Sequence, residues 1–201
     1  MKKLIVGISG ATGAIYGIRL LEVLSKSDVE THLVITEAAQ ETILMETSWK
    51  VEDVKSLAKV SYDIKNLGAD ISSGSFHSEG MAIIPCSIKS LSGIANSFNE
   101  NLLIRAADVT LKERRKLVLV VRETPLHLGH IELMLQASRM GAILLPPVPA
   151  FYFYPKTIDD LVNHTVGKVL DLFGIGIDHH LFQRWGSAPL KKILKKRGFK
   201  N

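Results

Sequence analysis

The sequence predicts an α/β fold, a three-layer sandwich in which helices cover both faces of a mainly parallel β-sheet. Short apolar runs alternate with stretches whose apolar residues recur every three or four positions, as in successive βα units. The run Leu-Val-Leu-Val-Val at residues 117–121 is typical of a strand buried on both faces. With 201 residues and 46% hydrophobic content, the chain suffices for one such domain, assigned to residues 1–186 and followed by a basic tail at 187–201.

Each element follows from its own pattern. The strands are compact runs rich in Val, Ile and Leu, and we predict them at residues 4–8, 31–35, 80–85, 117–121 and 142–145. The helices have apolar residues at helical spacing, and we predict them at residues 14–24, 37–46, 51–58, 102–113, 130–140 and 158–172. Between residues 62 and 77, Gly, Ser, Asn and Asp predominate. Residues 72–75 there are either a connector, which the composition favours, or a lid.

The formal net charge of +5 is concentrated at the C-terminus. Residues 187–201 contain no acid, and their basic residues are Lys191, Lys192, Lys195, Lys196, Arg197 and Lys200. The rest of the chain is therefore close to neutral. A solvated tail is favoured over a nucleic-acid-binding arm, and we expect no nucleic-acid partner.

Cys86 is the only cysteine, so the chain can form no intrachain disulfide and has no zinc-binding cysteine cluster. The apolar run near the N-terminus is too short for a signal-peptide core, and no apolar run approaches the length of a membrane span. These features predict a cytoplasmic protein with no membrane partner.

Three loops of unusual composition each follow a predicted strand: Ser9-Gly10-Ala11-Thr12-Gly13, Pro85-Cys86-Ser87-Ile88-Lys89-Ser90 and Arg122-Glu123-Thr124-Pro125. Because the carboxyl ends of parallel strands share one edge of a sheet, we expect these loops to converge on one crevice. Backbone N–H groups, hydroxyls and the Arg122 guanidinium in such loops suit a phosphate, or in the case of Arg122 a flavin edge. Thr36, after the second strand, adds a hydroxyl, and Ser90 is the expected N-cap of the helix after the second loop.

Three prolines precede four consecutive aromatic residues in the segment 145–155. This segment predicts either the wall of an apolar pocket or a subunit contact. The histidine pairs His127 with His130 and His179 with His180 lack a helical HExxH pattern, so we expect no catalytic metal.

Several motifs, in one order, make the chain resemble the UbiX/Pad family of flavin prenyltransferases over residues 3–186. They are Gly7-Ile8-Ser9-Gly10-Ala11-Thr12-Gly13-Ala14, Ile71-Ser72-Ser73-Gly74-Ser75, Pro85-Cys86-Ser87-Ile88-Lys89-Ser90-Leu91, Arg105-Ala106-Ala107-Asp108-Val109, Leu111-Lys112-Glu113-Arg114, Leu117-Val118-Leu119, Arg122-Glu123-Thr124-Pro125-Leu126, the segment 144–152 and Arg184-Trp185.

The resemblance implies a Rossmann-like, flavodoxin-like sheet, a dodecamer with sites at subunit contacts, and no metal. It also implies transfer of the dimethylallyl group of dimethylallyl phosphate to N5 and C6 of reduced FMN. The product, prenylated FMN, then serves a UbiD-type decarboxylase.

The resemblance also assigns site residues. Those matching FMN-binding positions are Gly10, Ala11, Thr12, Thr36, Ser87, Ile88, Lys89, Ser90 and Arg122. Tyr152 and Lys168 match positions that hold the donor phosphate. Other active-site positions are matched by Glu46, Lys112, Glu123 and Trp185.

The chemistry agrees with this assignment, because breaking an allylic C–O bond requires fixed positive charge for the phosphate and π-faces for the allyl fragment. Glu123, Glu46 or the released phosphate would take the proton from C6. Two alternatives stay open: a decarboxylase acting on hydroxyaryl acids, and a non-catalytic FMN-binding subunit or carrier.

Overall fold

The computed structural model describes residues 2–176 together with residues 181, 195 and 198. Trp185 and nearly all of the predicted basic tail lie outside these residues. Two compact units are distinguished along the chain, residues 1–147 and residues 148–201, and each is described by itself.

Residues 1–147 form a six-stranded sheet in which every pair of neighbouring strands is parallel, in the order β3-β2-β1-β4-β5-β6. The strands are β1 Lys2–Ile8, β2 Val29–Ile35, β3 Val60–Tyr62, β4 Gly80–Cys86, β5 Lys116–Val121 and β6 Ile143–Leu144. The helices of this unit are α1 Ala14–Leu24, α2 Glu37–Glu46, α3 Val51–Ser56, α4 Ile88–Ala95, α5 Leu102–Lys112 and α6 Leu128–Arg139. Residues 148–201 contribute α7, Ile158–Phe173.

The predicted α/β class and parallel sheet are confirmed, and the structure adds one strand. The additional strand, β3, has three residues, Val60 to Tyr62, and pairs with β2 at the edge of the sheet. A run this short has no periodicity of its own, and it gains its hydrogen bonds only from the neighbouring strand. The predicted start of α6 at residue 130 is two residues late, because His127 caps the helix by accepting a hydrogen bond from the Gly129 N–H.

The two faces of the sheet carry separate layers, because successive side chains of a strand point to opposite sides. On one face, buried residues such as Ile5, Ile83 and Leu119 belong to a core shared with α4, α5 and α6. On the other, α1 packs so closely that a Cβ on Gly17 would lie 2.4 Å from the Ile84 carbonyl oxygen. The sheet therefore lies between two helical layers.

The connector between β3 and β4 is held against the end of α5. Ile71, in the 3₁₀ turn Asp70–Ser72, is buried. The Arg115 guanidinium donates hydrogen bonds to the carbonyl of Gly74, at 2.8 Å, and to that of Phe76. These contacts fix the Gly- and Ser-rich segment onto the domain.

Among the described residues, no helix has both the length and the apolar character that a membrane crossing requires.

Candidate active site

A cleft of about 510 Å³ opens at the carboxyl edge of the sheet. The strand order reverses between β1 and β4, since β2 lies to one side of β1 and β5 lies beyond β4. Open parallel sheets bind ligands at such a reversal. Six of the predicted site residues line the cleft: Gly10, Thr36, Ser87, Ile88, Lys89 and Glu123.

Hydrogen bonds from one buried hydroxyl join the first two loops. Ser9 donates through Oγ to the Pro85 carbonyl at 3.1 Å and accepts from the Ser87 N–H at 2.8 Å. The third loop is joined to the second, because the Arg122 N–H donates to the Cys86 carbonyl at 3.0 Å. The three loops predicted to converge are therefore physically connected, and they form one wall of the cleft.

Two of the helices that begin at the cleft, α2 and α4, have a hydroxyl cap. Thr36 Oγ1 accepts from the Ala39 N–H at the start of α2, and Ser87 Oγ accepts from the Ser90 N–H at the start of α4. The expected N-cap at Ser90 is therefore wrong. Ser90 lies inside the first turn, is 5% exposed, and accepts a hydrogen bond from Ser87 Oγ. The remaining N–H groups of both first turns have no acceptor within the helix and suit an anion.

Gly10 allows the first loop to approach α2 closely. A Cβ at this position would lie 2.5 Å from the Ala38 Cβ, which is closer than two carbon atoms can pack. Because Gly10 and Ala38 both line the cleft, the absence of a side chain at Gly10 sets the shape of this wall.

The charged groups of the cleft are mostly arranged in pairs. Lys65 forms an ion pair with Glu37 at 2.8 Å, and Lys89 Nζ lies 3.4 Å from Glu100 Oε1. The Lys65 ammonium lowers the pKa of Glu37 through a hydrogen bond and its charge. Glu123 is exposed and accepts a hydrogen bond from the Thr124 N–H at 3.0 Å, which leaves carboxylate lone pairs directed elsewhere.

Four of the predicted FMN-binding residues are not among the residues that line the cleft: Ala11, Thr12, Ser90 and Arg122. Ala11, Thr12 and Arg122 are in the connected loops, within two residues of lining positions.

Glu46, at the end of α2, lies against the start of α1. Its Oε2 accepts hydrogen bonds from the Gly13 N–H at 2.7 Å and from the Ala14 N–H at 3.1 Å. A carboxylate is favourable at a helix N-terminus, where backbone donors and the helix dipole meet it. Glu46 therefore takes the backbone donors that the sequence offered to an anion in the first glycine loop.

Lys112 lies away from the cleft within this chain. Asn101, the N-cap of α5, lines the cleft, but Lys112 is the last residue of that helix, about 15 Å farther along its axis. There the Lys112 ammonium pairs with Glu113, beside Gly74. One chain by itself therefore does not bring Lys112 and Glu123 to the same cleft.

Tyr152 and Lys168 belong to the unit of residues 148–201. Tyr152 lies in a turn closed by a hydrogen bond from the Tyr154 N–H to the Phe151 carbonyl, 3.1 Å long. Lys168 is exposed on α7, one turn after His164. Trp185 lies outside the described residues.

Sequence reasoning missed seven residues that line the cleft: Glu37, Ala38, Ile64, Lys65, Glu100, Asn101 and Ile104. The start of α5 reaches the carboxyl edge through the Leu102 N–H, which donates to the Ile64 carbonyl at 2.9 Å. Asn101 before an apolar helical stretch is a recognisable N-cap signal, and it would have placed the start of α5 near the other helix N-termini.

Cys86 takes no direct part in the chemistry of this cleft. It is fully buried at the end of β4, and burial raises the pKa of its thiol to about 12. We expect a thiol reagent at pH 8 to leave the native protein unmodified, because only roughly one thiol in ten thousand is ionised. Full labelling is expected after denaturation in guanidinium. Rapid labelling of the native protein, followed by mass spectrometry, would contradict this prediction.

The rings of His127 and His130 are in contact, with their centroids 3.6 Å apart and their planes tilted by 36°. Among the described residues, no three His, Cys, Asp or Glu side chains are grouped as metal ligands.

Comparison with known proteins places this architecture in a family. The Flavoprotein family matches residues 1–170. The flavin prenyltransferase UbiX of Escherichia coli K12 is 58% identical over 189 residues, which is 94% of this chain and 100% of that protein. A structure described as AnUbiX (PadA1) in complex with FMN and dimethylallyl pyrophosphate has a TM-score of 0.89 at 46% identity, covering 92% of this chain and 98% of that one.

A third relative extends the comparison to an assembled protein. The structure described as a dodecameric FMN-dependent UbiX-like decarboxylase from Escherichia coli O157:H7 has a TM-score of 0.88 at 51% identity, covering 92% of this chain and 100% of that one. The fold and the sequence identity over more than nine-tenths of the chain lead to the same family. This chain belongs to the flavoprotein family and, within it, to the UbiX flavin prenyltransferases.

Proposed function

We propose that this chain transfers the dimethylallyl group of dimethylallyl phosphate to reduced FMN. The observation that carries the proposal is the cleft at the strand-order reversal, lined by six residues that the family resemblance assigns to the site. A relative bound to FMN and dimethylallyl pyrophosphate supports both ligands, and the high identity to named flavin prenyltransferases supports the reaction.

The residues of the cleft fit a flavin nucleotide. A cavity of about 510 Å³ is in the range of small-molecule sites. Gly10 keeps the wall beside Ala38 open, and the first turns of α2 and α4 supply N–H donors for a phosphate. Arg122 adds a guanidinium to the same group of loops. We propose that Gly10, Thr36 and residues 87–90 hold FMN together with Ala11, Thr12 and Arg122.

Reduced FMN, when bound, supplies the nucleophilic N5 and C6 atoms that receive the five-carbon group. The chain must then neutralise the departing phosphate as the N5 bond forms. The C6 bond consumes the double bond of the five-carbon group, so the chain must also supply a proton to that group and accept the proton lost from C6. We propose Tyr152, Lys168 and Lys112 for the phosphate, Glu123 for the proton lost from C6 and Trp185 as a π-face for the allyl fragment. For Glu46 we propose a role in holding the first glycine loop, since its carboxylate binds the first N–H groups of α1.

The position of Lys112 fits a site completed across a subunit contact, as expected for an assembly with sites between subunits. Its ammonium is half-exposed beside Gly74, where a neighbouring copy of the chain can approach. In the assembly, we propose that Lys112 serves the cleft of an adjacent subunit.

Two other functions are the alternatives. One solved relative is described as a decarboxylase, so decarboxylation of a hydroxyaryl acid is a competing activity. That reaction requires a group that takes up carbanion charge, and FMN alone is a poor acceptor of such charge. The other alternative is an FMN carrier, which has no need of a basic pocket for a leaving phosphate.

One experiment separates all three functions. The FMN-loaded protein is reduced without oxygen and mixed with dimethylallyl phosphate, with the pyrophosphate, or with a hydroxyaryl acid. The released flavin is then weighed by mass spectrometry, and carbon dioxide is measured. A gain of one five-carbon unit is expected with the phosphate or pyrophosphate and not with oxidised FMN. Unmodified flavin despite confirmed binding would favour the carrier, and carbon dioxide release would favour the decarboxylase.

Self-association is supported by an apolar stripe on α6. Leu128, Ile131 and Leu135 share one face of the helix and are 69%, 51% and 48% exposed. An exposed stripe of this kind marks a contact surface, and a relative is described as dodecameric. We propose that this chain forms a dodecamer and that the stripe lies at a subunit contact.

We expect Ile131→Asp to reduce the assembly to smaller species, because the contact would bury an unpaired carboxylate. Mass measurement by light scattering after size exclusion checks this, with Glu132→Gln on the same helix as the control. An Ile131→Asp protein of unchanged mass would exclude the stripe as a subunit contact.

We propose that the reaction takes place in the cytoplasm. We also propose that a UbiD-type decarboxylase receives the product. A single buried cysteine is compatible with a reducing compartment. Prenylated FMN is a cofactor with no further use in this cleft, so a second enzyme must take it up.

A further inference from the structure

Tyr152 has a partner on α7 that the family resemblance does not assign. Its hydroxyl oxygen lies 3.2 Å from Nε2 of His164. The imidazole stacks on Phe153, with 5.2 Å between ring centroids and 8° between planes, and meets the Tyr152 ring edge-on at 5.9 Å. This hydrogen bond and these ring contacts help to orient the His164 ring.

Lys168 completes this arrangement one helical turn later. Residues four positions apart on a helix are neighbours on its surface, so the ammonium lies near the imidazole. Burial first, and then the charge of Lys168, lower the pKa of His164. At neutral pH the ring is therefore neutral, with one nitrogen carrying a proton and the other accepting.

The direction of the Tyr152–His164 hydrogen bond determines what Tyr152 can offer a phosphate. If Nε2 accepts, the hydroxyl proton is directed at the imidazole and only lone pairs face the ligand. If Nε2–H donates to the hydroxyl oxygen, the O–H proton is available to a phosphate oxygen. A phosphate dianion presents only acceptors, so it selects the second arrangement.

We infer that His164 is a positioning residue for the donor phosphate: its Nε2–H donates to the Tyr152 hydroxyl oxygen and so directs the Tyr152 proton at the phosphate. This inference rests on the proposed function, in which Tyr152 and Lys168 hold the phosphate. In this proposal His164 acts through Tyr152, whose hydroxyl it contacts. The His164 Nε2–H directs the Tyr152 O–H at the leaving phosphate, and Phe153 holds the imidazole in place by stacking on it.

Two variants separate the hydrogen bond from the ring. His164→Phe keeps an aromatic ring against Phe153 and removes both nitrogens, whereas His164→Gln removes the ring but keeps an amide N–H that can donate to Tyr152. The primary measurement is the Kd of dimethylallyl phosphate for protein loaded with oxidised FMN, in which no transfer takes place. KM and kcat with reduced FMN follow.

We expect His164→Phe to weaken donor binding roughly ten-fold and to raise KM with little change in FMN affinity, since one oriented hydrogen bond to a charged group is lost. His164→Gln is expected to stay within about three-fold of the wild type. In a Tyr152→Phe background, His164→Phe is expected to have no further effect, because no hydroxyl remains to be oriented.

Other results would overturn the inference. These are an unchanged Kd in His164→Phe, an equal loss in His164→Gln, or a full additional loss in the Tyr152→Phe background. If His164→Phe does not fold, His164→Leu, which also removes both nitrogens, takes its place in the comparison with His164→Gln and in the Tyr152→Phe background. Failure of the proposed function is distinct, since the wild-type protein would then bind no dimethylallyl phosphate or would release unmodified flavin.

Discussion

Glu123→Gln is expected to slow formation of prenylated FMN by about 10²–10³-fold in a single turnover while leaving FMN bound. Glu123 lines the cleft, is exposed to it, and accepts a hydrogen bond from the adjacent Thr124 N–H. Gln has the same shape and can still accept that bond, but its amide oxygen is too weak a base to take the C6 proton. The expected fall in the single-turnover rate therefore measures how much a base positioned at residue 123 accelerates the reaction.

The measurement is anaerobic rapid mixing, with reduced FMN and excess dimethylallyl phosphate, followed by mass analysis of the flavin. FMN affinity is measured in parallel from flavin fluorescence. Glu52→Gln, which removes an exposed carboxylate on α3, is the charge-matched control. An unchanged single-turnover rate would exclude Glu123 as the base. Loss of FMN binding would instead give Glu123 a role in shaping the loop.

Glu46→Gln tests whether Glu46 takes part in proton transfer or holds the first glycine loop in place. Because Glu46 binds the N–H groups of Gly13 and Ala14, its substitution is expected to weaken the first glycine loop and FMN binding together. A loss of rate at full FMN occupancy would return Glu46 to the proton-transfer step.

Gly17→Ala is expected to destabilise the protein by about 3 kcal/mol and to weaken FMN binding as well. A Cβ at this position would lie 2.4 Å from the Ile84 carbonyl oxygen and 2.9 Å from the Ile8 side chain. The first of these atoms is backbone at the centre of the sheet and cannot move aside. α1 must therefore shift away from β4, and the glycine loop that precedes it must shift too.

Thermal unfolding checks this prediction, with an expected fall in Tm of about 6–12 °C. Gly68→Ala is the matched control in the same unit, because its nearest neighbour would be the Asn66 side-chain oxygen at 3.5 Å, an ordinary contact. A Gly17→Ala protein with wild-type Tm and FMN affinity would contradict the packing of α1 on β4 described above.

The sequence determined the local units and the location of the cleft. Apolar runs such as residues 117–121 can only be buried in the middle of a sheet, and in a parallel sheet the loop after each strand falls at one edge. The convergence of Gly10, Ser87 and Glu123 followed from that geometry alone. The motifs in those loops, together with the others that follow in the same order along the chain, were sufficient to indicate the family.

Tertiary structure decided what depends on contacts between distant residues. Strand order and the pairing of β3 with β2 result from hydrogen bonds between strands, and the local sequence pattern does not predict which strands pair. Glu46 reached the start of α1, 33 positions away in sequence from Gly13, because α1 and α2 pack together. Lys112 was carried to the far end of α5 by the rise of the helix, and His164 met Tyr152 through the turn before α7. A motif specifies which chemical groups are available, whereas the packing of whole elements determines which of them meet.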